Sequence, residues 1–292
     1  MAVYTDLGTE RLADLIAAYD VGDLVSAKGI AEGVSNSNWL IETSGRDGSP
    51  DSQSARFILT MYERRIETAD LPFFLDLLDH LSAADCPVPR TIHDREGASF
   101  RMIDGKAVAL IEFLPGVSPT APTATQARAV GVALARMHAA AQDFPGSRAN
   151  DLGPGENAAT LEACGSDALV QIDPNLPAVV ERARTITEEW PSDLPRSIIH
   201  SDLFPDNVLM LGDQVSGLID FYFACEDQMA YDLAVTHAAW CFSKDGSRFD
   251  PALGRALVTG YESVRPLEPH ERDALPLLAE GACLRFVASR AQ

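Results

Sequence analysis

The sequence predicts an α+β chain in two lobes, and three observations carry that reading. Residues 1–114 mix short β-rich runs with two amphipathic helix patterns. The rest is patterned almost throughout at helical spacing, with one β-rich interruption at 197–223. Between the two stretches stands Pro115-Gly116, followed by SPTAPT, a junction of turn-forming residues. A small lobe is therefore expected over 1–114 and a large helical one over 115–292. A chain of 292 residues with 46% hydrophobic content can enclose substantial cores, which excludes a disordered protein.

In the small lobe, Leu12, Leu15, Ile16 and Tyr19 recur at helical spacing and Gly22 supplies a stop, so a helix runs from Thr9 to Tyr19. Segments 24–31, 37–43 and 55–61 are rich in β-branched and aromatic residues and read as strands. GVSNS turns between the first two, and the long polar GRDGSPDSQS between the second and third. Asp70 is placed to cap a helix whose Phe74, Leu77, Leu78 and Leu81 form one stripe, and CPVPR breaks it. SFRMI and KAVALIEFL flank Asp104-Gly105, a pair that supplies the positive φ of a type I′ hairpin turn. The small lobe then holds a helix and a five-stranded antiparallel sheet with a second helix inserted.

In the large lobe, Val130, Leu134, Met137 and Ala141 stripe one helix, and Leu275, Leu278, Ala282 and Phe286 another. Further helices are expected near 176–190, 228–243 and 251–263. The interruption reads as a strand at 197–199, the polar loop HSDLFPD, and a hairpin NVLML-GDQ-VSGLID. A hairpin centred near Asp213-Gln214 places Asn207 opposite Asp220.

Charge and cysteines narrow the function classes. A net charge of −20, with no stretch of more than two adjacent basic residues, opposes nucleic acid and anionic membrane surfaces as partners. The five cysteines are scattered and form no CxxC pair, which suits reduced thiols. No basic-then-apolar leader and no apolar run of about 18 residues occurs, so a soluble cytoplasmic protein is expected.

The chemistry gathers in the interruption. An H-x-D-x-x-x-x-N spacing unites His200, Asp202 and Asn207, and Asp220 closes the following hairpin. A carboxylate such as Asp202 can orient or accept the proton of an attacking hydroxyl, while a carboxamide and a second carboxylate share a hard cation such as Mg²⁺. A phosphate cradle is expected over 29–38, where Gly29 and Gly33 allow close backbone approach and Ser35, Asn36 and Asn38 add short donors. Glu112 and Leu114 end the small lobe, where a strand edge can offer backbone groups to adenine. Thr60 occupies the strand position where a kinase lysine would meet the phosphates. Neutralisation there falls to Mg²⁺, the glycine-bearing turn, or one of Lys28, Arg56, Arg64 and Arg65. His138, His237 and the three tryptophans read as packed residues, and His200 as a loop-structuring one. On its own, Asp232 reads as a helix-surface acid.

These segments resemble a family. HSDLFPDNVL is similar to the wider kinase-like group, and IDFYFAC with YDLA and AWCF is similar to homoserine kinases of the aminoglycoside/choline-kinase type. GIAEGVSNSNW, FILTMYE, LPFFLDLLDHL, PVPRTI, IEFLPG and VGVALARMHAAAQDF extend the likeness over nearly the whole chain. The resemblance implies a bilobal protein-kinase-like fold, ATP and Mg²⁺ as cofactors, and L-homoserine as the small-molecule substrate. It implies Asp202 as catalytic base, Asn207 and Asp220 as Mg²⁺ ligands, 29–38 as phosphate loop, 112–114 as adenine-contacting linker, and Asp232 as support for the catalytic loop. A zwitterionic acceptor needs a carboxylate and a guanidinium, for which Asp206, Glu226, Asp227 and Arg285 are candidates. Two features depart from the family pattern: PGENAATL follows Asn150–Gly153 where the family carries a Trp, and family chains continue with a helix beyond a motif like LRFVASR. The competing expectations are a sibling kinase for an aminoglycoside, choline or methylthioribose, and a nucleotide-binding scaffold without turnover.

Overall fold

Apolar periodicity and turn chemistry translate into two units, over residues 1–115 and 116–292, in a computed structural model. It describes residues 7–30, 36–45, 55–63, 66–243 and 245–291. Most of the polar spacer 45–54, everything beyond Gly45, lies outside the described residues, as do Gly33, Ser35, Arg64 and Arg65.

In the first unit, helix α1 (Thr9–Ala17) buries Leu12, Leu15 and Ile16. Strands β1 (Leu24–Ile30), β2 (Asn36–Thr43) and β3 (Ala55–Tyr62) pair antiparallel in sequence order. Helix α2 (Leu71–Ala83) follows, with its Phe74, Leu77, Leu78 and Leu81 buried as the stripe predicts. Asp70 stands at its N-cap position, but φ −86° and ψ −16° are already helical and the side chain makes no capping bond. A single tight turn, Thr68–Asp70, feeds the helix instead, and Pro72 fits its first turn. Then come β4 (Thr91–Ile92), β5 (Arg101–Ile103) and β6 (Lys106–Glu112). Among the described residues the sheet has six strands, ordered β1-β2-β3-β6-β4 with β5 also on β6. The expected count of five omits β4, whose two residues pair with Ile111 and Leu110. So short a strand, just past Pro87 and Pro89, carries no period to read. Asp104 (φ 51°) and Gly105 (φ 78°) make the type I′ turn between Ile103 and Lys106. The core packs Leu12, Leu15, Ile16 and Tyr19 with Trp39, Ile41, Leu59, Val108 and Leu110.

The second unit opens with helix α3 (Ala124–Ala140), started by a capping box in which Thr123 and Gln126 satisfy each other's backbone N–H. Helices α4 (Pro154–Cys164), α5 (Ser166–Ile172) and α6 (Leu176–Glu189) follow. Strand β7 (Arg196–Ile199) leads into the polar loop, and β8 (Val208–Leu211) with β9 (Gln214–Leu218) forms the expected hairpin. Strand β10 (Cys225–Gln228) pairs antiparallel with β7, a strand the sequence pattern did not single out. Helices α7 (Met229–Trp240), α8 (Pro251–Glu262) and α9 (Pro269–Ala291) complete the unit. Helices α3 and α8 touch backbone to backbone: a Cβ added at Gly131 would lie 2.1 Å from the Leu257 carbonyl, and one at Gly260 2.1 Å from the Arg128 carbonyl.

The β8–β9 register corrects the expectation for Asn207. The turn sits at Gly212-Asp213, with Leu211 paired to Gln214, and a bulge follows between Leu209 and Met210. Val208 therefore pairs with Leu218, and the Ile219 N–H donates to the Asn207 carbonyl at 3.0 Å. Asn207 faces Ile219, and Asp220 falls one residue beyond the pairing. The turn, centred one residue earlier than expected, moves the pairing by two positions, and the bulge takes one of them back.

Candidate active site

The loop after β7 is shaped by one buried carboxylate. Asp232, on α7 and without solvent exposure, accepts the His200 N–H on Oδ2 and the Ser201 N–H on Oδ1, both at 2.8 Å. Ser201 itself adopts φ 65°, a left-handed conformation uncommon for a residue with a side chain, so the chain turns sharply just after the two N–H groups that Asp232 holds. His138 Nε2, from α3, adds a contact to Asp232 Oδ2 at 2.9 Å. Burial alone would raise the Asp232 carboxyl; the donors from His138 and His200 outweigh it and hold the group below the usual carboxylate range. The reading of Asp232 as a helix-surface acid is thus overturned.

His200 is equally enclosed. Its Nε2 bonds the Ile219 carbonyl at 3.0 Å and its Nδ1 accepts the Asp202 N–H at 3.3 Å, an arrangement that requires the neutral Nε2–H tautomer. Burial accordingly pushes the imidazole below its ordinary value, against the pull of Asp232 and Asp202. The ring packs on Phe221 with centroids 4.5 Å apart. Trp240 Nε1 donates to the Leu203 carbonyl at 2.8 Å and fixes the next stretch of loop.

Asp202 projects from this frame with its side chain 22% exposed. Arg285 NH2, from α9, contacts its Oδ1 at 3.1 Å, and Asn207 Nδ2 contacts its Oδ2 at 3.2 Å and its carbonyl at 2.8 Å. Burial raises the Asp202 carboxyl, with Arg285 the strongest influence the other way. Asn207 commits its amide nitrogen to Asp202, which leaves Oδ1 as the lone-pair donor. Asp220 adopts φ 67° and ψ 57° at the end of the hairpin, and its open face is exposed. Withdrawal from bulk water, then the Asp202 and Asp206 carboxylates, push it up to about 6. Solvent at the open face tempers the first cause, while the crowding of three acids remains.

The first unit carries the other predicted site residues. Gly29 is exposed on β1 and pairs with Trp39. Asn36, at the start of β2, is buried, and its Oδ1 has no partner among the described residues. Glu112 closes β6 with its N–H on the Arg90 carbonyl at 3.0 Å, and Leu114 lies half-buried two residues on. Thr60 is buried and donates to Asn38 Oδ1 at 2.8 Å, so it ties β2 to β3. Arg56 stacks over the Phe113 ring at 4.4 Å, and Lys28 is exposed.

Of the acceptor candidates, Asp206 lies on the loop and Arg285 reaches it from α9, whereas Glu226 and Asp227 lie elsewhere. Those two line a cavity of about 580 Å³ with Arg148, Arg196, Asn150 and Gln228, to which Asp202, Asn207 and Asp220 contribute nothing. Sequence reasoning alone placed His138 as a packed residue but missed its pairing with Asp232, and missed Arg285's hold on the loop; their partners lie 94 and 83 residues away along the chain.

Comparison with known proteins gives the family. The phosphotransferase enzyme family (APH) matches residues 26–267. A homoserine kinase of Gluconacetobacter diazotrophicus is 48% identical over 99% of this chain and 88% of its own. One of Caulobacter sp. is 47% identical over the same shares. Among solved structures, an amicoumacin kinase in complex with AMP-PNP, Ca²⁺ and Ami superposes with a TM-score of 0.75 at 14% identity, covering 98% of this chain and 86% of that one. A spectinomycin phosphotransferase in complex with ADP and spectinomycin gives 0.69 at 12%, covering 98% and 100%. The chain belongs to the phosphotransferase enzyme family, with the bilobal kinase-like fold, and within it to the homoserine kinases. Its class of reaction is ATP-dependent phosphoryl transfer to a hydroxyl group.

Proposed function

We propose that the chain transfers the γ-phosphoryl group of ATP to the side-chain hydroxyl of L-homoserine, giving O-phosphohomoserine on the route to threonine. The observation that carries this reading is the Asp202 carboxylate, held on Oδ1 by Arg285 and on Oδ2 by Asn207, in a loop pinned by Asp232. A base so fixed can align an acceptor hydroxyl with the γ-phosphorus. The hydroxyl oxygen bonds to phosphorus, its proton passes to Asp202, and the bond to the β-phosphate oxygen breaks to release ADP. Little covalent help is needed, so positioning and charge neutralisation supply most of the acceleration.

The residues fit a divalent cation. Asn207 Oδ1 and the Asp220 carboxylate are hard oxygen donors, and the upward push on Asp220, from burial first and then from the Asp202 and Asp206 carboxylates, marks negative charge gathered where a cation would bind. Asn207 and Asp220 are our assignment for Mg²⁺, which when bound neutralises the developing charge on the phosphates. We assign residues 1–114 as the nucleotide-binding lobe and 115–292 as the lobe bearing the catalytic loop and acceptor site. Within the former, Gly29, Gly33, Ser35 and Asn36 are assigned to the phosphates, and the backbone at Glu112 and Leu114 to adenine; the buried, unpartnered Asn36 Oδ1 supports the first assignment. Among the described residues no helix is long and apolar enough to cross a membrane, and we place the reaction in the cytoplasm with its nucleotide.

The test is ADP release from Mg-ATP with L-homoserine, choline, methylthioribose or kanamycin as acceptor. Homoserine-dependent release that collapses in Asp202→Asn, while ATP still binds, supports the assignment. Release only with another acceptor keeps the phosphotransferase and sinks homoserine; a polycationic acceptor would suit the net charge of −20. ATP binding without any turnover would favour a scaffold.

A further inference from the structure

Arg285 is a buried cation whose guanidinium hydrogen-bonds the catalytic loop at Ser201 and Asp202. Its side chain is 4% exposed on α9, the helix that also packs Phe286 against Phe204 of the loop with ring centroids 5.1 Å apart. NH1 donates to the Ser201 carbonyl and, at 2.8 Å, to the Ser201 hydroxyl; NH2 reaches Asp202 Oδ1 at 3.1 Å. The Phe223 ring, three residues past Asp220, lies 5.6 Å from the guanidinium carbon. A cation this enclosed needs its donors matched, and they are matched by the two residues whose geometry the reaction depends on.

We propose that Arg285 is a positioning residue for phosphoryl transfer, clamping the Ser201–Asp202 segment that Asp232 also holds. The proposal rests on Asp202 being the base. Asp232 takes the N–H groups of His200 and Ser201, and Arg285 takes the carbonyl and hydroxyl of Ser201, so the left-handed Ser201 is held through both of its peptide groups. The same guanidinium then fixes the rotation of the Asp202 carboxylate, with Asn207 on the other oxygen. One planar fork spans a backbone carbonyl and a neighbouring side chain, which a lysine ammonium has neither the width nor the fixed directions to do. The enclosure also argues against the alternative that Arg285 receives the acceptor's carboxylate, because its fork is already engaged and its face is turned to Phe223.

The test compares full-length wild type, Arg285→Lys, Arg285→Ala and Ser201→Ala by steady-state kinetics, with melting temperatures recorded for each. Arg285→Ala is expected to lose kcat about 100-fold, with KM for ATP and for homoserine changed by less than about threefold. Guanidinium ion should restore part of that loss in Arg285→Ala and none in Arg285→Lys, a readout that a merely structural role would not give. Arg285→Lys should fold and still lose at least about tenfold in kcat, and Ser201→Ala less. Unchanged kcat in folded Arg285→Lys overturns the proposal, even if Arg285→Ala does not fold. A large rise in homoserine KM at unchanged kcat also overturns it and makes Arg285 an acceptor ligand. If wild type shows no homoserine-dependent turnover, the substrate reading fails by itself, and the same comparisons on acceptor-independent ATP hydrolysis decide the role of Arg285.

Discussion

His138 Nε2 lies 2.9 Å from the Asp232 carboxylate, and neither side chain meets solvent. The His138 ring is also fixed through Nδ1 by the Tyr261 hydroxyl at 2.8 Å, so α3, α7 and α8 converge on the carboxylate that shapes the catalytic loop. The fold thus spends a buried charge on holding two loop N–H groups in place.

Asp232→Asn tests that link. An amide of the same size directs an NH₂ group at donors that need an acceptor, so at least one of the His138, His200 or Ser201 contacts is lost in full enclosure. We expect a loss of about 2–4 kcal/mol in urea unfolding, together with a kcat drop in the remaining folded protein. Native stability in the variant would show that Asp232 carries no unique role.

Asp220→Asn separates function from stability. Three acids crowd the site, and Asp220 is pushed up to about 6, above its unfolded value, so in the absence of metal its charge opposes folding once pH exceeds that unfolded value. Asparagine tolerates the left-handed backbone found there, φ 67° and ψ 57°. The metal-free variant should melt about 1–3 °C higher than wild type at pH 7.5 while losing Mg-dependent turnover. In wild type, the Mg²⁺ concentration needed for half-maximal rate should climb as pH falls below about 6, since the proton and the cation compete for one carboxylate. A half-saturating Mg²⁺ that stays flat from pH 8 to 5 would contradict the assignment.

His200 gives a pH dependence of opposite sign. Burial keeps its imidazole below the usual value of 6.5, so the unfolded chain takes up a proton that the folded chain refuses. The stability contributed by the neutral, doubly bonded ring is complete above pH 6.5 and drains away as pH falls below it. Asp220 varies in the same range, and comparison with a variant cancels it. The stability gap between wild type and His200→Asn should therefore narrow by about 1 kcal/mol from pH 7.5 to 5.5, measured by urea unfolding at each pH. A constant gap would mean that His200 titrates alike in both states.

How much of this was legible depended on whether the signal was local. The type I′ turn at Asp104-Gly105 and the α2 stripe are properties of short segments, and each stands in the structure as read. The β8–β9 register was one residue out because the turn is centred at Gly212-Asp213 and not at Asp213-Gln214, a shift that the bulge beside Leu209 offsets only in part. Asp232 read as a surface acid because its partners, His138 and the His200 and Ser201 amides, belong to other elements. Arg285 could be picked out as a guanidinium, but only packing reveals that it faces Ser201 and Asp202 instead of solvent. The family resemblance supplied what the residues alone did not: the loop-supporting place of Asp232.

The crossing of α3 and α8 holds His138 and Tyr261 in register, and it depends on two glycines. A Cβ at Gly260 would stand 2.1 Å from the Arg128 carbonyl oxygen and 2.9 Å from its carbon, backbone that cannot swing aside like a side chain. Alanine would gain about 1 kcal/mol of helix propensity over glycine, but separating two packed helices costs about 1–3 kcal/mol and disturbs the Tyr261–His138 contact next to it. Gly260→Ala should thus be net destabilising and lower kcat. Gly155, in the first turn of α4, meets only the Thr187 methyl at 3.7 Å, ordinary contact, so Gly155→Ala should raise the urea midpoint by the propensity term alone. Opposite signs for the two variants would identify close helix approach as the reason for glycine at 260; equal stabilisation would remove that reason.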